Sequence, residues 1–298
     1  MSARPPIAYL PRIRSYYQAL GYGEPYEWAQ FEDVPFTPLS KPLKDCKVAI
    51  VTTAAPYQPD KGDQGPGAPY NAAAKFYRVY QGETATDPDL RIAHVAIDRA
   101  HTTAEDQNSY FPLPALRRAQ AAGRIGGITR HFFGLPTNRS QRITIAVDCP
   151  DLVARVKADE ADAVILVPNC PVCHQSVSLA ARALEQAGIA TVIMGCAKDI
   201  VEHAGVPRFL FSDFPLGNGA GKPRDIASQD MTAGLALDLL ERAATPRSTV
   251  TSPLAWSTGD AWKQDYCNIE LLSPGDIARR RVEFEQGRQT AKVLRHTL

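Results

Sequence analysis

From residue 47 onward, short apolar runs alternate with longer segments of helical periodicity. The β-branched run 47–53 predicts a first strand, and 91–98 predicts a second. Between them, 54–71 holds four prolines and three glycines, which predicts an irregular loop suited to act as a lid. A helix is expected over 112–122, a short strand over 124–129 and a helix over 150–159. The run 161–167 has the pattern of a strand buried on both faces. It leads into a helix over 172–187 that Gly188 stops. Strands over 189–194 and 208–211, and helices over 197–204, 224–243 and 274–296, complete the series. Such repeated strand–loop–helix units predict an α/β fold, a mostly parallel doubly wound sheet with Rossmann-like or flavodoxin-like layers. The organisation expected is an N-terminal extension over 1–45, rich in proline and aromatics and partly helical, that wraps the core and serves a subunit contact. A catalytic α/β domain over 46–245 and a partly helical C-terminal tail over 246–298 follow.

Composition narrows the functional classes. A chain of 298 residues, 44% apolar and 22% charged, has the balance of an ordinary globular protein. The formal net charge is +1 and no Lys/Arg block stands out, which argues against nucleic acid or an anionic membrane as partner. The first residues carry neither a signal pattern nor an anchor, and no later run approaches the ~20 apolar residues of a spanning helix. A cytoplasmic location is therefore expected. Six cysteines are too few for a disulfide scaffold and read as buried small residues, except where two stand close together.

One such pair stands in Pro168-Asn169-Cys170-Pro171-Val172-Cys173-His174. Open parallel sheets place their chemistry beyond the carboxyl ends of the strands, where Cys170 falls. Asn169 is expected as the N-cap of the next helix, with Pro171 in its first turn. The free amides and positive end of that helix favour a thiolate. Two thiols at this spacing can also close a disulfide, so that one resolves a bond made by the other. His174 is expected as a proton donor or a metal ligand. Plainer readings are two inert packed cysteines, or a structural zinc held by Cys170, Cys173 and His174. Haem attachment, which uses the same Cys-x-x-Cys-His pattern, would need export. Cys196, just after 189–194, reads equally as a small residue at a tight turn.

The stretch 162–176 that contains this pair resembles the core of the glycine/sarcosine/betaine reductase selenoprotein B family, to which proline reductase is related. A second block carries His101, Asp106, Asn108, Phe111-Pro112-Leu113, Leu116-Arg117, Gly123-Arg124-Ile125-Gly126 and His131-Phe132. A third is the loop from Phe214 to Asp225, with Gly217, Gly219 and Gly221. The resemblance implies reductive cleavage of a carbon–heteroatom bond by a selenocysteine or cysteine nucleophile, with partner proteins carrying the product onward. It puts that nucleophile at Cys170 or Cys173, with the other as resolving thiol. The chain has cysteine where the reductases often carry selenium and lacks a long selenium-bearing extension, which suggests a selenium-free member with another substrate.

The second block brings forward His101 and Asp106 for acid–base work or metal binding, and Asn108 and His131 for substrate contacts. In the third, close glycines and Arg224 suit a substrate carboxylate, a plain tight loop being the alternative. The loop lacks Walker spacing, so an NTP site is not expected. His94, within the expected strand 91–98, reads as structural.

The leading expectation is a cysteine-dependent enzyme that cleaves a C–S or C–N bond of a small carboxylated metabolite. No cofactor is required on this reading. A rival is a catalytic zinc held by the Cys170 and Cys173 thiolates with His174, His101 or Cys196, making a hydrolase or a desulfhydrase for a thiocarbonyl heterocycle. A third reading is a non-catalytic redox or metal sensor subunit. The partners expected are a small-molecule substrate, a cellular thiol reductant and further copies of the chain in a homo-oligomer.

Overall fold

The computed structural model describes residues 4–22 and 24–296. Helix α1 (Tyr9–Ala19) and an extended strap precede the first apolar run, which forms β1 (Lys47–Thr52). Next come the short strand β2 (Ala55–Pro56), then β3 (Tyr80–Glu83) and β4 (Leu90–Arg91). Helix α2 (Leu113–Ala121) leads to β5 (Gly127–Ile128) and β6 (His131–Gly134). The short α3 (Gln141–Ile143) runs through a π-helical turn, Thr144–Asp148, into α4 (Cys149–Ala158). Strands and helices then alternate strictly: β7 (Ala163–Val167), α5 (Pro171–Gln186), β8 (Ala190–Gly195), α6 (Lys198–Ala204), β9 (Arg208–Phe211), α7 (Ile226–Arg242) and β10 (Ser248–Thr251). A polar helix, α8 (Pro274–His296), ends the described chain.

The main sheet runs β10-β9-β8-β7-β1-β6-β3, with β5 also paired to β1. All its pairings are parallel except that of β3 with β6. Alternation along each strand sends one set of side chains to each face. Val48 and Ile50 of β1 and Ile165 of β7 pack with α2 and α7, whereas Ala49, Val51, Val164 and Leu166 pack with α4, α5 and α6. The sheet is therefore covered on both sides, as the uninterrupted apolar strands anticipate. The chain leaves β1 for one face and β7 for the other, so the crevice at their carboxyl ends is the topological switch point of the fold.

Helix α5 is buried almost all round, although Gln175, Arg182 and Glu185 are polar. Buried polar groups need partners, and the N-terminal strap supplies them. Gln175 Oε1 accepts from the Ala29 amide at 2.7 Å, and Arg182 Nη1 donates to the Asp33 carbonyl at 2.8 Å. Glu185 accepts from the amide and hydroxyl of Thr191 and from the Thr37 amide. It also pairs at 2.8 Å with Arg208, both side chains being fully buried. Phe31 and Phe36 of the strap cover the guanidinium faces of Arg182 and Arg208 at 4.0 and 4.2 Å. The wrap expected of the N-terminal residues is thus a polar seal over a buried helix.

Four strands escape the sequence pattern, β2, β3, β6 and β10, and one expectation fails. β3 is polar on alternate positions and β10 is a half-exposed edge, so neither carries an apolar signal. The expected strand 91–98 reduces to β4, and the chain then turns through residues 92–98. Ile92, Val95 and Ile97 are buried by packing, without sheet pairing. The Arg99 guanidinium holds the turn by donating to the carbonyls of Ala68, Ala93 and Val95 at 2.8–3.0 Å.

Removing one partner from a fully buried ion pair leaves an uncompensated charge. We therefore expect Arg208→Ala to destabilise the fold by about 3–5 kcal/mol in urea unfolding. The double replacement Glu185→Gln with Arg208→Met should recover most of that loss.

Candidate active site

The crevice between β1 and β7 is closed by a small set of contacts. Thr53 follows β1, and its hydroxyl oxygen accepts from both the backbone amide and the side-chain amide of Asn169, each at 3.1 Å. Cys170 comes next, and it rather than Asn169 is the N-cap of α5: its Sγ accepts from the Cys173 amide at 3.2 Å. A sulfur used as a helix cap sits where amide dipoles stabilise negative charge. Pro171, at the first turn, sacrifices no needed donor. The sulfurs of Cys170 and Cys173 are in contact and their Cα atoms lie 4.9 Å apart, a separation a disulfide spans. The two residues differ in access. Cys173 is 0% exposed and Cys170 is 5% exposed, the latter on the wall of a cavity of about 1270 Å³. Residues 94–100 and 137–140 form other walls, and Tyr16, Tyr17, Arg280 and Phe284 bring α1 and α8 over it as a roof.

His174 is fully buried and has a different task from the two expected. Its Nδ1 donates to the Cys170 carbonyl at 2.7 Å, and its Nε2 accepts from the amides of Cys196 and Ala197 at 2.9 and 3.1 Å. Burial lowers its pKa to about 4, so the ring is a neutral strut between the ends of β7 and β8. Gly195 makes room for it, since a Cβ there would lie 2.7 Å from Nε2. With both nitrogens committed, His174 is neither a proton donor nor a zinc ligand in this geometry. Among the described residues no group of three or more His, Cys, Asp or Glu side chains converges for a metal. The thiol pair and His174 therefore do not fit the zinc centre weighed from the sequence. Burial pushes the Cys196 thiol up to about 12, leaving it protonated.

Comparison with known proteins finds one matching family profile and several relatives. The profile of glycine/sarcosine/betaine reductase selenoprotein B matches residues 18–169, half of the chain. The chain belongs to that family. Among its relatives, D-proline reductase subunit gamma of Acetoanaerobium sticklandii is 28% identical over 70% of this chain and 82% of its own length. Glycine reductase complex component B subunit gamma of Carboxydothermus hydrogenoformans is 26% identical over 64% of this chain and 44% of its own. The equivalent subunit of Symbiobacterium thermophilum is 24% identical over 75% and 53%. The chain thus spans about half the length of these glycine reductase relatives. No solved structure gives a significant match. The family span ends at Asn169, so the case for the thiol pair rests on its own geometry.

Several residues drawn from the family blocks lie elsewhere. His131 opens β6 at the amino edge of the sheet, opposite the crevice, and is held by Asp159 at 2.8 Å and Glu83 at 3.4 Å. Asp106 accepts from the amides of Asn108 and Arg224 and from Gln229 Nε2 at 2.7–3.0 Å, which makes it a clamp between loops. Asn108 contributes to that clamp through its backbone, and the Arg224 side chain pairs at the surface with Glu105. The glycine loop is a packing device. A Cβ at Gly217 would meet Ile97 at 3.2 Å, one at Gly219 the Met194 carbonyl at 2.8 Å, and one at Gly221 Gln229 at 2.8 Å. His101 sits behind the cavity wall, bridging the carboxylates of Asp98 and Asp265 at 3.1 Å on either side. Sequence reasoning did not single out Thr53, and it placed His94 in a strand where the structure has a turn on the cavity wall. Thr53 was within reach of the switch-point rule, but the apolar alternation around His94 mimics a strand.

A buried base with a depressed pKa makes the fold acid-sensitive. Unfolded His174 titrates near 6.5 while the folded ring resists a proton until about 4. Stability is complete above pH 6.5 and falls as pH drops through that window. We expect the urea midpoint to fall between pH 7 and pH 4.5, and His174→Gln to remove part of the slope while lowering the midpoint at pH 7.

Proposed function

We propose that the chain is a cysteine-dependent, reductase-type enzyme that cleaves a C–N or C–S bond of a small carboxylated metabolite, with Cys170 as nucleophile and Cys173 as resolving thiol. The observation that carries this reading is the unequal exposure of two touching sulfurs: Cys170 alone reaches the cavity and alone caps α5. The relatives named as reductase subunits support the reaction type. Arg139 offers a cation on the cavity wall for the carboxylate; it is held at φ +52° and lies over Tyr17 and Phe284.

The chemistry balances as follows. The Cys170 thiolate attacks the substrate carbon and displaces the amine or thiol, which leaves with a proton. A thioether joins Cys170 to the remaining carbon fragment. Cys173 then attacks Cys170 Sγ, forming the disulfide and releasing the fragment, whose carbon takes the Cys173 proton. Two thiols supply the two electrons of the reduction, and a cellular dithiol restores them. By analogy with the relatives, which are subunits of complexes, partner subunits carry the product onward or return the electrons.

The test uses proline, glycine, sarcosine and betaine, the compounds in the relatives' names, with reduced protein. Wild-type protein should lose two hydrogens from the peptide carrying both cysteines for each product formed. Cys173→Ser should accumulate a mass adduct on Cys170, and Cys170→Ser should form neither adduct nor product. Full turnover by Cys170→Ser, or stoichiometric zinc on the pair, would overturn the proposal.

A further inference from the structure

The cavity beside Cys170 is larger and more aromatic than the proposed chemistry by itself requires. Its volume of about 1270 Å³ exceeds the ~300–1,000 Å³ in which pockets hold drug-sized ligands, so glycine or proline would leave most of it to water. Its wall carries Tyr16, Tyr17, Tyr26, Trp28, Tyr70 and Phe284, and none of these rings is buried by the protein itself. Aromatic side chains left partly bare around a hollow offer flat apolar area to a ligand that fills it.

Part of that aromatic wall is tied to the helix of the nucleophile. Cys170, Pro171 and Val172 line the cavity, and Gln175 follows them within about two turns of α5. Its Nε2 donates to the Tyr26 hydroxyl at 2.5 Å, and Tyr26 meets Trp28 edge-on with ring centroids 5.0 Å apart. The pair is thereby anchored to the first turns of the helix that Cys170 caps.

The charges on the wall are unequally matched. Each carboxylate there has a basic partner: Asp98 and Asp265 share His101, Glu283 has Arg279 and Glu285 has Arg288. Arg139 and Arg280, also on the wall, meet no carboxylate at ion-pair distance among the described residues; each gives a single hydrogen bond to a tyrosine hydroxyl. Arg139 reaches Tyr17 at 2.7 Å and Arg280 reaches Tyr16 at 3.2 Å, two rings whose centroids are 5.7 Å apart. The remaining donors of a guanidinium suit the two oxygens of a carboxylate, and its excess charge favours an anion.

We propose that this cavity binds an aromatic carboxylate: a flat ring system held among the tyrosines and Trp28, with its anionic group at Arg139 and Arg280. This rests on Cys170 as nucleophile and names the class of substrate brought to it. A neutral analogue forfeits the ion pairs, and a saturated one forfeits the stacking of flat rings.

The test is isothermal titration calorimetry of the reduced full-length protein with three probes: naphthoate, its neutral amide, and the saturated decalin carboxylate. Naphthoate should bind, and each of the other two should bind roughly tenfold more weakly, the worth of one charge-assisted hydrogen bond. Arg139→Gln and Arg280→Gln should each weaken naphthoate while leaving the amide unchanged, and Trp28→Leu should weaken both. Absence of naphthoate binding to the wild type overturns the proposal, as does equal affinity for all three probes. An equal loss of acid and amide in the arginine variants also overturns it, since the arginines would then only hold the roof. The Cys170→Ser protein should bind naphthoate as the wild type does, and naphthoate should slow alkylation of wild-type Cys170 by iodoacetamide. Binding that leaves this alkylation unchanged supports the ligand class and counts against Cys170 as the attacking group.

Discussion

The site depends on one neutral imidazole. His174 joins the carbonyl of Cys170, at the end of β7, to two amides at the end of β8, and so fixes the spacing of adjacent strand–helix junctions. Each bond requires the ring to keep a single tautomer, donating at Nδ1 and accepting at Nε2. A protonated ring would turn Nε2 into a donor facing two donors, and burial excludes that state over most of the pH range. The strut sets the first turn of α5, and through it the sulfur that caps the helix.

A helix anchored this deeply must be buried on its outer side too, and that explains the strap. α5 offers Val177, Ala180, Ala181 and Leu184 to the sheet, and these apolar residues contribute roughly 1.5–3 kcal/mol for each fully buried Val or Leu. Its remaining surface carries Gln175, Arg182 and Glu185, which would be costly if covered by hydrocarbon. Residues 29–37 cover them with backbone amides and carbonyls, so the N-terminal segment and the helix are matched group for group. The position of Cys170 is thereby set from both sides of the layer.

The fold was legible because its central strands are apolar on both faces and short, a pattern few other architectures produce. The crevice was legible for a topological reason, since Cys170 directly follows a buried strand. Its companions were less so. His131 and Asp106 stand in loops that carry chemical residue types, but a sequence does not say to which edge of the sheet a loop belongs, and His131 begins its strand at the wrong one. Gly217, Gly219 and Gly221 suggest an anion cradle by composition, whereas what they permit is backbone packed against Met194 and Gln229. His94 was hidden by burial: alternating apolar neighbours look like a strand whether sheet pairing or a pinned turn buries them.

The electrostatics of the cavity constrain the proposed chemistry further. A leaving amine or thiol needs a proton, and a histidine is the customary source. Here His174, bonded to the Cys170 carbonyl, holds a pKa of about 4 and His94, on the cavity wall, one of about 3, so neither carries a spare proton near neutrality. The Cys196 thiol, near 12, holds its proton too tightly to be a ready acid. Under the proposed mechanism the proton for the leaving group comes through the cavity from solvent, while the proton for the carbon fragment is that of Cys173. An open, water-sized path beside Cys170 is then as necessary as the buried thiol behind it, and the unequal exposure of the two sulfurs satisfies both demands at once.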